Sequence, residues 1–429
     1  MNNIHVIGMG VSASDLTEAH LATIRAADLL VGGRRHLDQF KDLPAEKRPI
    51  EGRISETLAC IRAAMAHRRV VVLASGDPLL HGIGSRIAEE IGRERVTVLP
   101  NVSSIAAAFA RIGQPWADAR VVSLHGRDSR FELLAALKSG APVAVLTDPQ
   151  RTPGWLAAWM RERGVDHVDM AVFERLGDAQ EQVGWYPLDQ AADRRFAEPN
   201  LVVLKPGPEC RAIFDTLVLG MSEQEYAHEQ GLITKAEVRA VTLAKLALKP
   251  GMTLWDLGAG SGSVGIEASL LLGAGRIVAV EKDARRVARI RANARRFGVY
   301  NHETIQAELP RGLADLPPPD RIFVGGGGRD LAAIVQAAVA CLKPEGVLVA
   351  NVVLLDNPNR VVAVLEAAGL AAEVVQLQVS RGTAMPWSMR LEAQNPVWII
   401  RGMESIIPIC HIIAISLNRS YARCTLQCF

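Results

Sequence analysis

The residues best suited to chemistry form a glycine turn with an acid some distance after it. Asp256-Leu-Gly-Ala-Gly-Ser-Gly262 follows a strand-like run, and 19 positions beyond Gly262 the run Ile277-Val-Ala-Val280 ends on Glu281. Glycines at such a turn let backbone approach a ligand, and an acid closing the next strand can accept hydrogen bonds from two ribose hydroxyls. A bound nucleoside is the chemistry this spacing suits. Gly258, Gly260 and Gly262 alternate, and Ser263 stands where the third glycine of a dinucleotide fingerprint would be. The spacing therefore favours S-adenosylmethionine over a nicotinamide dinucleotide; a nicotinamide enzyme and a ligand-free α/β domain stay open as alternatives.

The elements that must position this turn alternate in type. Thr253 to Leu257, Ile277 to Val280, Arg321 to Val324 and Val347 to Val352 read as strands separated by helices, preceded by an amphipathic helix from about Lys235 to Leu248 that Pro250-Gly251 stops. That alternation predicts a doubly wound sheet, with Pro396 to Ile400 as a closing strand. Upstream, Ile4 to Ile7, Val70 to Leu73, Val96 to Leu99, Val121 to Leu124 and Val143 to Leu146 are short Val/Ile/Leu runs between Ala/Arg-rich stretches, which predicts a second, mostly parallel sheet. Lys205-Pro-Gly-Pro-Glu209 and the polar stretch Ser222 to Gly231 are composed like a boundary, giving domains at 1–204 and 232–401, a linker at 205–231 and an atypical tail at 402–429.

Bulk properties narrow the partners. A length of 429 residues suggests two or three domains, and 49% apolar residues allow each a core. With 48 basic and 46 acidic residues the formal charge is +2, so there is no overall electrostatic case for nucleic acid. No apolar stretch reaches the roughly 18 residues of a membrane span, and the amino terminus shows no signal-peptide pattern; a cytoplasmic enzyme with a small-molecule partner is expected. The six cysteines make no Cys-x-x-Cys pair and no zinc-like cluster, so they read as reduced thiols with no metal.

In the first half, Gly8-Met-Gly10, Ser75-Gly-Asp-Pro78 and Asn101-Val-Ser-Ser104 each follow a strand, where open α/β sheets hold ligands, although each is also ordinary turn and cap chemistry. Taken together, Val6 to Gly10, Asp15-Leu-Thr17, Ser75 to Gly84 and Pro100 to Ser104 resemble the tetrapyrrole methylase family, in particular its branch acting late in corrin synthesis. The resemblance implies a fold of two α/β lobes with S-adenosylmethionine folded in the cleft between them, lined here by Gly8, Gly10, Gly76, Asp77, Pro78, Ser103 and Ser104. The family's commoner Gly-x-Gly-Pro-Gly appears as Gly8-Met-Gly-Val-Ser12. His81 is a candidate general base against the alternative of a bystander turn histidine.

Residues 232–400 resemble the decarboxylating methyltransferases that partner this branch, on Leu232-Ile-Thr-Lys-Ala-Glu-Val-Arg239, on Asp256 to Gly262 and on Asp320-Arg-Ile-Phe-Val-Gly-Gly-Gly327. The resemblance implies a Rossmann-like class I methyltransferase fold in which Thr234 contacts the cofactor, Asp256, Gly258, Ala259, Gly260, Ser261 and Gly262 carry its methionine portion, Glu281 takes the ribose, and Glu308 and Leu309 flank the adenine. Thr234 reads equally as a helix N-cap with Glu237 completing a capping box. The joint resemblance implies a bifunctional enzyme of cobalamin synthesis acting on a precorrin-6 substrate. Its first half would methylate C5; its second would methylate C15 and decarboxylate the C12 acetate, giving precorrin-8. One catalytic half with the other a docking module is the alternative, as is a methyltransferase of another small acidic metabolite. Arg381 and Arg390, in the stretch before the last strand, are candidates to hold substrate carboxylates, and Asn351 is a candidate by its place at a strand end. The arginine-rich face after Glu281 reads as solvated surface. A homo-oligomer is the expected assembly.

Overall fold

In a computed structural model of the chain, the described residues are 4–404 apart from 127, 210–212, 214, 215 and 230. The chain divides into two compact units, Met1–Arg211 and Ala212–Phe429.

The first unit holds two sheets. One contains β1 (Ile4–Gly8), β2 (Leu29–Gly32), β3 (Glu46–Pro49), β4 (Val70–Ala74) and β5 (Val96–Leu99) in the order β3-β2-β4-β1-β5, all parallel. Its inner strands β2 and β4 are apolar at successive positions, and β1 nearly so, because both faces are covered, whereas the edge strand β3 is polar and partly exposed. Ile4, Val6, Val31 and Val72 enter one core, and Ile7, Leu30, Val71 and Leu73 the other. Each such fully buried aliphatic side chain contributes roughly 1.5–3 kcal/mol. The second sheet contains β6 (Arg120–Ser123), β7 (Val143–Leu146), β8 (Val168–Glu174), β9 (Gln182–Tyr186) and β10 (Asn200–Pro206) in the order β6-β7-β10-β8-β9. Only β6 and β7 pair in parallel; β10 runs antiparallel to β7 and β8, and β8 to β9. The expectation of one mostly parallel sheet for this half is therefore corrected to one parallel and one mixed sheet. The cause is local: residues 175–181 are too short for a helical crossover, and only an antiparallel return is then possible.

The second unit is built on β11 (Thr253–Leu257), β12 (Arg276–Glu281), β13 (His302–Gln306), β14 (Arg321–Val324), β15 (Val347–Val352), β16 (Leu370–Leu377) and β19 (Val397–Glu404), in the order β13-β12-β11-β14-β15-β19-β16. The first five are parallel, and β19 is antiparallel to both β15 and β16. The chain order reverses at β11, so the carboxyl ends of β11, β12 and β14 open on a crevice. Between β16 and β19 the chain makes a separate hairpin, β17 (Ser380–Met385) and β18 (Ser388–Ala393).

Residues 217–229, read from composition as part of the linker, are packed in this unit: Leu217 and Tyr226 are buried in its core. We refer to them as the strap. Of the segment set apart as a tail, residues 402–404 extend β19, and 405–429 lie outside the described residues.

Candidate active sites

In the second unit β11 delivers Asp256 and Leu257 to the crevice, and the chain turns through Gly258 (φ 70°), Gly260 (φ 60°) and Gly262 (φ 76°) into the helix Ser263–Leu272. All three φ values lie in the left-handed region, where a side chain is strained. Space adds a second constraint at two of them. A Cβ on Gly262 would stand 2.9 Å from Ile290 Cγ2, and one on Gly258 3.1 Å from the backbone of Gly326. Gly260 instead faces open space, with nothing nearer than 4.0 Å. The turn thus presents bare backbone to the crevice.

Glu281 closes β12 beneath this turn and is 5% exposed. Gly260 N–H donates to its Oε2 (3.0 Å), while the N–H groups of Lys282 and Asp283 donate to its Oε1 (2.9 and 3.1 Å). Three donors leave part of a carboxylate's acceptor capacity for a ligand. Asp256 is 1% exposed; its Oδ2 accepts from Gly265 N–H at 3.1 Å, and its Oδ1 is buried without a partner. Burial pushes its carboxyl up to about 7, against the Gly265 hydrogen bond and with help from the Glu281 charge. Past the ends of β12 and β13 lies a cleft of about 610 Å³ lined by Lys282, Asp283, Gln306, Ala307 and Glu308. Glu308 is exposed there, and Leu309 is packed against the core. Ala259 N–H is used on Val280 O, and Ser261 is buried.

Thr234 lies just before the helix Ala236–Leu246, but its side chain does not cap it: the N-cap position is Lys235, with no side-chain cap. Glu223 of the strap takes that role, accepting from Ala236 N–H at 2.7 Å. The capping-box reading of Thr234 and Glu237 is thus corrected, because Glu237 is committed elsewhere. Arg381 holds it, Nε to Oε1 at 3.0 Å and Nη2 to Oε2 at 2.6 Å, and also holds both oxygens of Glu223 at 2.9 Å. These bonds drop the Glu223 carboxyl to about 2 and raise the guanidinium above its ordinary value. Arg381 therefore fastens the hairpin, and most of its donors are spent on protein carboxylates rather than offered to a substrate. Arg390 is exposed on β18, 3.9 Å from Glu392. Asn351, one residue before the end of β15, has its Nδ2 on Thr242 Oγ1 (2.8 Å) and its Oδ1 buried without a partner, so it faces the helix Ala236–Leu246.

The arginine-rich helix Ala284–Arg296 clamps the strap through Arg286 and Arg289 on Glu229 and Arg296 on Glu225.

In the first unit, the turns after β1 and β4 are tied together: Gly76 N–H donates to Gly10 O (3.1 Å) and Gly10 N–H to Gly76 O (3.4 Å). A Cβ on Gly8 would meet Gly76 O at 2.5 Å, so only glycine allows this approach. Asp77 closes its turn by accepting from Leu79 N–H, Pro78 O accepts from Gly84 N–H, and Ser103 caps the helix Ser104–Arg111 through Ala106 N–H. His81 sits in the left-handed region (φ 53°) and is exposed. The sequence motifs include Asn101 without giving it a role, and they leave out His36. Asn101 Nδ2 donates to Gly8 O and Asp15 O, joining the turns after β1 and β5. The buried His36 pairs its Nε2 with Ser75 Oγ at 2.8 Å, at the end of β4. Polar residues in turn-like composition carry no sign of such long-range bonds. Beside these turns a cleft of about 410 Å³ is lined by Val11, Ser12, Asp15, Val102, Arg111 and Glu181 among others, with Arg111 Nε on Glu181 Oε1 at 2.6 Å.

Among the described residues, no helix is long and apolar enough to cross a membrane. Residues 3–192 match the family model for tetrapyrrole (corrin/porphyrin) methylases, and residues 224–402 that for the precorrin methyltransferase domain. Separate proteins resemble parts of the chain. A "Probable cobalt-precorrin-6B C(15)-methyltransferase (decarboxylating)" of Pyrobaculum calidifontis is 41% identical over 42% of this chain and 94% of its own. A cobalt-precorrin-7 C(5)-methyltransferase of Salmonella typhimurium is 37% identical over 46% of this chain and 96% of its own. A precorrin-6Y C(5,15)-methyltransferase [decarboxylating] of a Sinorhizobium species is 35% identical over 88% of this chain and 90% of its own. With both halves matched in one relative and both strand-end crevices in place, the chain belongs to the precorrin-6Y C(5,15)-methyltransferase (decarboxylating) family.

Proposed function

We propose that the chain methylates a precorrin-6 substrate twice, the first unit at C5 and the second at C15, and that the second also removes the C12 acetate carboxyl, giving precorrin-8. The observation that carries this reading is the bare glycine turn over Glu281, a shape that accepts a nucleoside and the methionine portion of S-adenosylmethionine. The fit has further support in the unpartnered Oδ1 of Asp256 and the open face of Gly260. S-adenosylmethionine supplies an electrophilic methyl group on a sulfonium sulfur. In the second unit, Thr234 would contact the cofactor, Glu281 would hold the ribose, Asp256, Gly258, Ala259, Gly260, Ser261 and Gly262 the methionine side, and Glu308 and Leu309 the adenine. In the first, Gly8, Gly10, Gly76, Asp77, Pro78, Ser103 and Ser104 would form the corresponding pocket.

A tetrapyrrole meso carbon is enamine-like and needs no strong base before it attacks a methyl group. The chain's contribution is then to orient the ring and exclude water, and effective molarity can supply several kcal/mol, up to roughly 7–11. For decarboxylation the carbon–carbon bond to the carboxyl breaks, the electron pair passes into the conjugated ring, and a proton returns to the acetate carbon. Arg390, exposed on the hairpin, is the better placed of the two arginine candidates for another substrate carboxylate, because Arg381 is engaged. A homo-oligomer also fits: Trp387 is 96% exposed, with Met389 and Leu391 exposed on one face of β18.

The test is mass spectrometry of reduced precorrin-6 after incubation with S-adenosylmethionine and the full chain, beside Gly10→Val and Gly260→Val. Two methyl gains with one carbon dioxide loss are expected of the wild type. Gly10→Val, whose added carbon meets Asp15 Oδ2 at 2.5 Å, should lose only the C5 methyl, and Gly260→Val only the C15 methyl. An unchanged product mass with the donor bound would sink the substrate assignment.

A further inference from the structure

Two buried polar side chains of the second unit, on different helices, tie the strap to its glycine turn and to Thr234. Asn293, 2% exposed on the helix Ala284–Arg296, accepts Ala227 N–H at 2.8 Å and donates to Ala227 O at 3.0 Å. The same Nδ2 donates to Ser261 O at 2.9 Å, so one amide joins the strap to the glycine turn. Arg239, with no exposed surface, donates to Met221 O in the strap and to Thr234 O just before its own helix. Its charge is met by Glu267, also fully buried, at 2.8 Å, and Glu267 in turn accepts from the N–H groups of Gly220 and Met221 and from Tyr226 Oη.

A fully buried ion pair is an expensive way to gain stability, since desolvation offsets much of the attraction. Its directional bonds do something an apolar pair could not: they hold two backbone carbonyls, Thr234 and Met221, in one geometry. We infer that the strap is a brace of the second cofactor site, in which Asn293 and Arg239 are positioning residues that set the gap between Ser261 and Thr234. The inference rests on the reading of that turn and Thr234 as the S-adenosylmethionine site. Neither side chain needs to touch the ligand; each holds a backbone carbonyl on one flank of it. Residues 217–229 are then part of the catalytic unit and not a spacer between units.

The test is binding of S-adenosylhomocysteine to the full chain, with steady-state methylation followed separately at C5 and C15, for the wild type, Asn293→Ala and Arg239→Lys. The wild type should bind two equivalents. Each variant should keep one equivalent at wild-type affinity and bind the other about tenfold more weakly, the scale of one lost buried hydrogen bond. The KM for S-adenosylmethionine in C15 methylation should rise by a similar factor while kcat at saturation and C5 methylation stay near wild type. A merely structural role would lower the active fraction, and hence kcat, without moving KM. If Asn293→Ala does not fold, Asn293→Asp, which still accepts from Ala227 N–H but cannot donate to Ser261, carries the same expectation. Folded variants that bind both equivalents with wild-type affinity overturn the brace. A wild-type chain that binds one equivalent overturns the two-site cofactor reading, and the brace with it.

Discussion

Asp256 shows how a single carboxyl can be held at odds with its surroundings. It lies at the end of a central strand with one oxygen on Gly265 N–H and the other on nothing, and burial lifts it from 3.8 to about 7. The folded state therefore keeps its proton in a range where the unfolded chain has lost it, so stability present at acid pH declines as pH rises from about 4 through about 7. Asp256→Asn retains an acceptor for Gly265 and cannot ionise. Urea unfolding of both proteins at about pH 5 and about pH 8 should show the wild type losing stability across that interval relative to the variant. Parallel behaviour of the two would mean that Asp256 is ionised in the native state. Its side chain was legible in the sequence as part of a motif, but its orphaned oxygen was not, since that depends on what the next helix brings over it.

At the level of elements, the hairpin β17–β18 is fastened by one guanidinium on two carboxylates from different segments, Glu223 of the strap and Glu237 of the helix Ala236–Leu246. Arg381 is about a third exposed, so a double-mutant cycle of Arg381→Gln with Glu223→Gln should give a coupling of roughly 1 kcal/mol, discounted for solvent screening. Because the Glu223 carboxyl is lowered from 4.5 to about 2, its contribution is fully present above about pH 4.5 and is lost as pH falls toward about 2. Proteolysis within the hairpin, assayed at neutral pH, should accelerate in either variant; a resistant hairpin would show that the clasp is dispensable. The sequence presented Arg381 as a free cation before the last strand. Its partners are 158 and 144 positions away, beyond any local pattern.

For the whole molecule, two unlike α/β units in one chain put two methyl transfers on the same substrate within reach of one polypeptide. The exposed apolar face of β18 argues for self-association as well. Light-scattering mass in solution should exceed that of one chain, and Met389→Asp with Leu391→Asp should reduce it. A wild-type chain that stays monomeric would remove that role from the hairpin. The change leaves the glycine turn untouched, so S-adenosylhomocysteine binding should be retained.

The sequence by itself determined the strand-end motifs and most of the parallel strands, with β11, β14 and β15 at their observed bounds. Those features are local: an apolar run long enough to cross a covered sheet, a glycine where φ must be positive, and an acid ending the next strand. The mixed character of the second sheet, the hairpin, and the membership of residues 217–229 in the second unit were decided only by the tertiary structure. In the strap, polar composition reads as a loop because its partners lie on other elements. Arg239, Glu267 and Asn293 satisfy its backbone and keep it in the fold, and hydrogen bonds between residues tens of positions apart leave no periodicity to read.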